Sequence, residues 1–258
     1  REGVRALVIG AAIATVVYAL PLLRFVFSHL GTLVHELGHT VAEWTFGRPA
    51  IPAFDLAHGG GVTVSQGRQP ILVALIVLAF GVAIRQFGRF PGLRRAVLGA
   101  GALWAVLVLT GADVVVVLAA GHVAEAGFAA LCLGRALSGR GLRTRAERPA
   151  YAFAGLFLWW SELSFAWGLV TRHEARVEYE LAKGGGAWMD LSRIADEFLG
   201  VRLSTVALVH LTVVLAVPAV VVLAARHRSR IVAWTARLLA PGSRSTLRDQ
   251  GVSDATRA

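Results

Sequence analysis

Seven long runs of apolar residues, separated by shorter polar stretches, constrain the fold of this chain more than any other feature of its sequence. They cover residues 6–23, 25–46, 71–84, 96–112, 114–133, 151–170 and 203–225. A helix that crosses the hydrocarbon core of a bilayer needs about 20 apolar residues. All but the run over 71–84 come near that length, and we expect that short run to be tilted, re-entrant or extended by snorkelling side chains at its ends. The sequence therefore predicts an all-α polytopic membrane protein with about six or seven membrane segments.

Arginine accounts for nearly all of the net charge of +10, and it is concentrated in the loops. The stretches 85–95 and 138–148 each contain four arginines. Short loops on the cytoplasmic side of a membrane carry such an excess of basic residues. We expect a membrane-embedded domain over 1–225 and a basic, partly disordered tail over 226–258, in the cytoplasmic membrane of a bacterium. No basic stripe with interleaved aromatic residues occurs, so the expected partner is the lipid bilayer and not a nucleic acid.

The connection over 47–69 is too polar and too rich in helix breakers to be a membrane span. It contains Pro49, Pro52 and a glycine run over 59–61. Proline and glycine in this density mark turns and loops. The three residues that follow, Val-Thr-Val at 62–64, predict a short β-strand after the glycine turn.

The second apolar run contains the pattern His-Glu-x-x-His, formed by His35, Glu36 and His39. Histidines four residues apart lie on one face of a helix and suit the binding of one zinc ion, with the glutamate as general base. Ionisable side chains inside a membrane cost roughly 2.5–3.5 kcal/mol each, and metal ligation compensates that cost. The alternative is a chance pattern of hydrogen-bonded polar residues.

Residues 33–42, Leu-Val-His-Glu-Leu-Gly-His-Thr-Val-Ala, resemble the active-site helix of the site-2 protease family of intramembrane zinc metallopeptidases. The following Phe-Gly at 46–47 and Gly-Gly-Gly-Val-Thr-Val at 59–64 are similar to the connection after that helix. The resemblance covers about residues 25–85. It implies zinc bound by His35 and His39, with Glu36 as the general base. Better-known members supply the third ligand from a Leu-Asp-Gly motif on a later span, and this sequence contains no such motif.

The third ligand must therefore come from elsewhere, and His122 and Glu125 are the best candidates. They lie three residues apart within a predicted span and thus on one helical face. Buried ionisable residues in membranes are functional candidates by default. We predict Glu125, ahead of His122, as the third ligand, with the other residue orienting it. The alternative is a His–Glu pair that stabilises helix packing.

We expect the other polar residues to have structural roles or to be solvated. Glu43 is expected to be a hydrogen-bond partner of the metal site, and Asp113 a turn residue. We expect Asp55 and His58 to be solvated loop residues. Glu162 and His210 are expected to be isolated packing residues within spans. Asp190 and Asp196 are expected to lie on the solvated face of an interfacial helix.

These features predict a membrane-embedded zinc metalloendopeptidase that hydrolyses peptide bonds of membrane proteins or peptides. The strand at 62–64 is expected to hold an unwound substrate by edge pairing. The alternative is a non-proteolytic metal-binding membrane protein: a scaffold, an inactive family member or a transporter. Neither the substrate nor the oligomeric state is indicated by the sequence.

Overall fold

The structure is a computed structural model that describes residues 2–55, 60–182 and 189–240. Ten α-helices and a two-stranded sheet lie within these residues. The elements are α1 (Glu2–Ala19), α2 (Pro21–Thr45), β1 (Ala50–Phe54), β2 (Gly61–Ser65), α3 (Pro70–Gln86), α4 (Pro91–Thr110), α5 (Asp113–Ser138), α6 (Glu147–Thr171), α7 (His173–Leu181), α8 (Asp190–Arg193), α9 (Leu203–Arg226) and α10 (Arg228–Leu238). A 3₁₀ turn over Phe87–Arg89 extends α3, and a π-helical turn over Ile194–Leu199 continues α8.

Six of the described helices are long and apolar enough to cross a membrane: α1, α3 with its 3₁₀ turn, α4, α5, α6 and α9. Large apolar side chains such as Val8 and Leu109 lie exposed on their outer faces, as lipid-facing residues do. The chain is thus an all-α, multi-pass membrane protein, as predicted. The third segment is longer than its apolar run suggested, because its helix runs over 20 residues from Pro70 to Arg89, so the expectation of a re-entrant segment is wrong and its tilt stays a prediction.

Helix α5 is the central element of the bundle. It packs against α1, α2, α6 and α9, and its buried side chains include Ala129, Cys132 and Ala136. Small residues on this face let the neighbouring helices approach closely, which is how helices associate within membranes. The most polar of the long helices, α2, packs between α5, α1 and the β-hairpin.

The connection after α2 forms the predicted strand, paired with a second one. In the antiparallel hairpin, Ile51 lies opposite Val64. A buried ion cluster fixes the connection to the start of α5, since Arg48 and Arg68 both contact the fully buried Asp113. The interpretation of Asp113 as a simple turn residue is therefore wrong.

The segment between α7 and α9 folds back into the bundle. Leu191, Ile194 and Ala195 pack in a hydrophobic cluster with residues of α5, α6 and α9. This packing places α8 against the spans, so the interpretation of Asp190 as part of a solvated helix face is wrong. The glycines at 184–186 that precede it lie outside the described residues.

The predicted tail over 226–258 is helical at its start, where α10 extends from Arg228 to Leu238. Leu238 of this helix lies against Gly92 at the start of α4. The part of the tail over 241–258, for which disorder is predicted, lies outside the described residues.

Candidate metal centre

Two histidines of α2 and one aspartate of α8 converge beside α5. The Nε2 atoms of His35 and His39 lie 3.0 Å apart, and each lies 3.1 Å from Oδ2 of Asp190. The helical spacing of four residues brings the two rings together, with their centroids 4.7 Å apart. One helix and a segment 151 residues later in the chain therefore build a single cluster.

Hydrogen bonds on the far side of each ring fix the position of its proton. His39 Nδ1 lies 2.7 Å from the carbonyl oxygen of Val117, which can only accept. His35 Nδ1 lies 2.9 Å from Oε2 of Glu125, and an ionised carboxylate also only accepts. Both Nδ1 atoms therefore donate, and in neutral imidazoles both Nε2 atoms present lone pairs.

With neutral rings, three acceptor atoms would face one point, so a positive charge, either a proton on a ring or a metal ion, must lie between them. Two imidazole nitrogens and one carboxylate oxygen are a donor set of catalytic zinc sites, in which the remaining coordination position stays open. The carbonyl of Val117 and the carboxylate of Glu125 are the outer partners that orient ligating histidines in such sites. The residues present therefore fit a zinc ion.

The position of Asp190 is set by the packing of the residues that follow it. Leu191 is buried, and its backbone N–H donates to the phenol oxygen of Tyr179 at 3.2 Å. Burial raises the pKa of that phenol, which keeps it neutral. Burial also raises the pKa of the Asp190 carboxyl, but hydrogen bonds and positive charge from His35 and His39, when these rings carry the shared proton, outweigh this effect and hold the pKa below its usual range.

Glu36 lies beside the histidines and is held by the hairpin. The hydroxyl of Thr63 in β2 donates to Oε2 of Glu36 at 2.7 Å. A Cβ atom on Gly61 would lie 2.4 Å from Cγ of Glu36, so the strand passes directly over this carboxylate. Glu36, both histidines and Asp190 line one cavity of about 700 Å³.

The structure places Glu125 next to the metal-ligand candidates but on the Nδ1 side of His35. His35, His122 and Glu125 also form a close group of donor atoms, which does not include His39. Because the Nε2 atoms of both motif histidines face Asp190, that residue is better placed than Glu125 or His122 as the third ligand. Glu125 instead occupies the position of an orienting carboxylate.

The sequence predicted isolated packing roles for Glu162 and His210, and this prediction is wrong because they contact each other and His122. Oε2 of Glu162 lies 3.1 Å from Nδ1 of His122 and 2.8 Å from Nε2 of His210. Helices α5, α6 and α9 each contribute one of these three buried side chains. No local signal predicts this group, because its members lie 40 and 48 residues apart.

The remaining candidates lie elsewhere. Glu43 pairs with Nε of Arg48 at 2.6 Å and not with the histidines. Asp113 belongs to the ion cluster described above, and Asp196 is exposed. Asp55 belongs to the hairpin turn, where its backbone N–H donates to Gly60, and His58 lies outside the described residues.

No protein-family model, curated protein or solved structure matches this chain. The resemblance to site-2 proteases is therefore confined to the sequence of α2 and the hairpin.

A single methyl group at Gly121 tests whether the two histidines must approach each other. A Cβ atom there would lie 2.5 Å from Nε2 of His35 and 2.6 Å from Nε2 of His39. We expect Gly121→Ala to lower zinc affinity by roughly 10–100-fold, because the rings must move apart. Gly127→Ala on the same helix meets nothing within 4 Å and should bind zinc like the wild type. Equal affinities, measured by competition with a chelator, would count against the centre.

Proposed function

We propose that the chain is a membrane-embedded zinc metallopeptidase that cleaves membrane proteins or peptides. The observation that carries this proposal is the convergence of His35 Nε2, His39 Nε2 and Asp190 Oδ2 within 3.1 Å of one another. A catalytic carboxylate, Glu36, lines the same cavity. The placement in a bacterial cytoplasmic membrane and the membership of the site-2 protease family belong to this proposal.

The cluster provides what peptide hydrolysis requires. A zinc ion held by His35, His39 and Asp190 supplies Lewis acidity towards a water molecule and a scissile carbonyl. Glu36 accepts the proton of the attacking water and delivers it to the amine nitrogen that leaves. The hydrogen bond from Thr63 holds the Glu36 carboxylate in one orientation, so that little reorganisation is needed during the reaction.

The hairpin supports a peptide as the substrate. A peptide bond within a membrane helix is protected by its hydrogen bonds and must be unwound before it is attacked. Strand β2 presents extended backbone beside Glu36, through Gly61 and Thr63. Edge pairing of an unwound substrate with this strand stays a prediction.

The roles of Asp190 and Glu125 are separable by substitution. We expect Asp190→Ala to abolish zinc binding at the centre formed with His35 and His39, because a direct ligand is lost. Glu125→Gln should lower the affinity by roughly 10–100-fold, because only the orientation of His35 is disturbed. Asp196→Ala, at an exposed aspartate of the same segment, is the matched control. Zinc competition assays that give the reverse order for Asp190 and Glu125 would restore the sequence-based choice of Glu125.

Glu36→Gln separates a peptidase from a metal-binding scaffold. We expect this variant to retain zinc and to lose cleavage by roughly 10²–10⁴-fold, because the general base is gone. The assay measures release of a fluorophore from single-span peptides reconstituted with the purified chain in vesicles. Glu178→Gln, at an exposed glutamate of α7, should cleave like the wild type. Undiminished cleavage by Glu36→Gln would contradict the mechanism, and a scaffold would keep its function in both variants.

A further inference from the structure

A second group of metal-ligating side chains lies deeper in the bundle, beside the proposed zinc centre. It consists of His122 in α5, Glu162 in α6 and His210 in α9. The three side chains are at least nine-tenths buried. His122 and His210 both direct a ring nitrogen at the same oxygen, Oε2 of Glu162, at 3.1 and 2.8 Å. Three membrane-spanning helices thus each contribute one polar side chain to a single point.

The donor atoms of this group match those of the first centre in kind and number. Two imidazole nitrogens and one carboxylate oxygen lie within 4.8 Å of one another. Imidazole with carboxylate suits zinc and the neighbouring divalent transition metals, and it does not suit calcium or magnesium. His122 and Glu162 also line the cavity that contains His35 and Asp190, so an ion has an entry path.

The charge of the whole region favours a second cation. Five carboxylates line this one cavity, and Glu43 is paired with Arg48, which leaves four: Glu36, Glu125, Glu162 and Asp190. The divalent ion of the first centre, whose presence is part of the proposed function, balances only two of these four negative charges if the histidines are neutral. Uncompensated charge in a low-dielectric membrane interior is costly.

The guanidinium groups that line the cavity in the described part of the chain do not supply the missing charge. Arg193 pairs with Glu197, with Nε and Oε1 3.0 Å apart. Arg48 belongs to the ion cluster of Glu43 and Asp113, where two carboxylates and two guanidinium groups balance one another. Either two protons or one divalent cation must therefore neutralise the region around Glu125 and Glu162.

We propose that His122, Glu162 and His210 bind a second divalent transition-metal ion next to the zinc centre. The ion compensates the buried carboxylates and fixes the ring of His122, which lies edge-on to the ring of His35 at 4.7 Å between centroids. Glu125 lies between the two centres, since its Oε2 atom is 2.9 Å from His35 Nδ1 and 3.7 Å from His122 Nδ1. The second ion thereby supports the orientation of a ligand of the first.

The test counts metal ions with Co²⁺ as the probe. The purified full-length chain in detergent is titrated with Co²⁺, and bound metal per chain is measured by mass spectrometry after gel filtration. We expect two ions in the wild type and one in Glu162→Gln, which keeps the volume of the side chain but removes its charge. We also expect one ion in His39→Ala, because His39 belongs to the first centre only. Should Glu162→Gln fail to elute as a monodisperse peak, His210→Gln tests the same ligand set.

The outcomes distinguish this proposal from the proposed function. Two ions in the wild type, with one lost in Glu162→Gln, support the second centre. One ion that is lost in His39→Ala but kept in Glu162→Gln overturns the second centre and leaves the first intact, with protons balancing the remaining charge. One ion that is lost in Glu162→Gln but kept in His39→Ala supports the second centre and contradicts the first. Binding that is unchanged in Glu162→Gln and His210→Gln overturns the proposal, and His173→Gln, at an exposed histidine, controls for surface binding.

Discussion

The meeting of two imidazole nitrogens with a carboxylate oxygen, inside a bundle of membrane helices, is the interaction on which the rest of the structure depends. His35 and His39 reach this point because α2 lies directly against α5 at Gly121, where a side chain would separate the rings. The carbonyl of Val117 and the carboxylate of Glu125 hold the protons on the outer side of the rings. Without a positive charge between them, three acceptor atoms repel one another, so the packing of α2 on α5 favours binding of a proton or a metal ion at this point.

The long helices and the connections between them make different contributions to the site. Helix α2 provides rigid positions for His35 and His39, as expected of a site whose ligands must be held closely. The connections complete the cluster, since Asp190 lies on the segment before α9 and Thr63 of the hairpin holds Glu36, which itself belongs to α2. Both connections are fixed to the bundle, one by the burial of Leu191 and the other by the ion cluster around Asp113. The proposed metal site is thus completed by elements outside the long helices.

Local patterns made part of this arrangement predictable. The apolar runs indicated the spans, and the four-residue spacing of His35 and His39 indicated a shared helical face. Asp190 was misread because its partners lie more than 150 residues away. A usable signal existed: Leu191 and Ile194 are three residues apart and form a buried apolar face. Asp190 and Asp196, six residues apart, lie about 120° apart on a helix and do not share one solvated side. The triad around Glu162 gives no comparable signal, because only the packing of three helices brings it together.

Anomalous scattering at the zinc absorption edge tests the central claim most directly. In crystals of the full-length chain grown with zinc, the account predicts a peak about 2.0–2.2 Å from His35 Nε2, His39 Nε2 and an oxygen of Asp190. A peak bound by Glu125 in place of Asp190 would move the third ligand and keep the centre. Rings whose Nε2 atoms point away from each other, with no peak between them, would contradict the account.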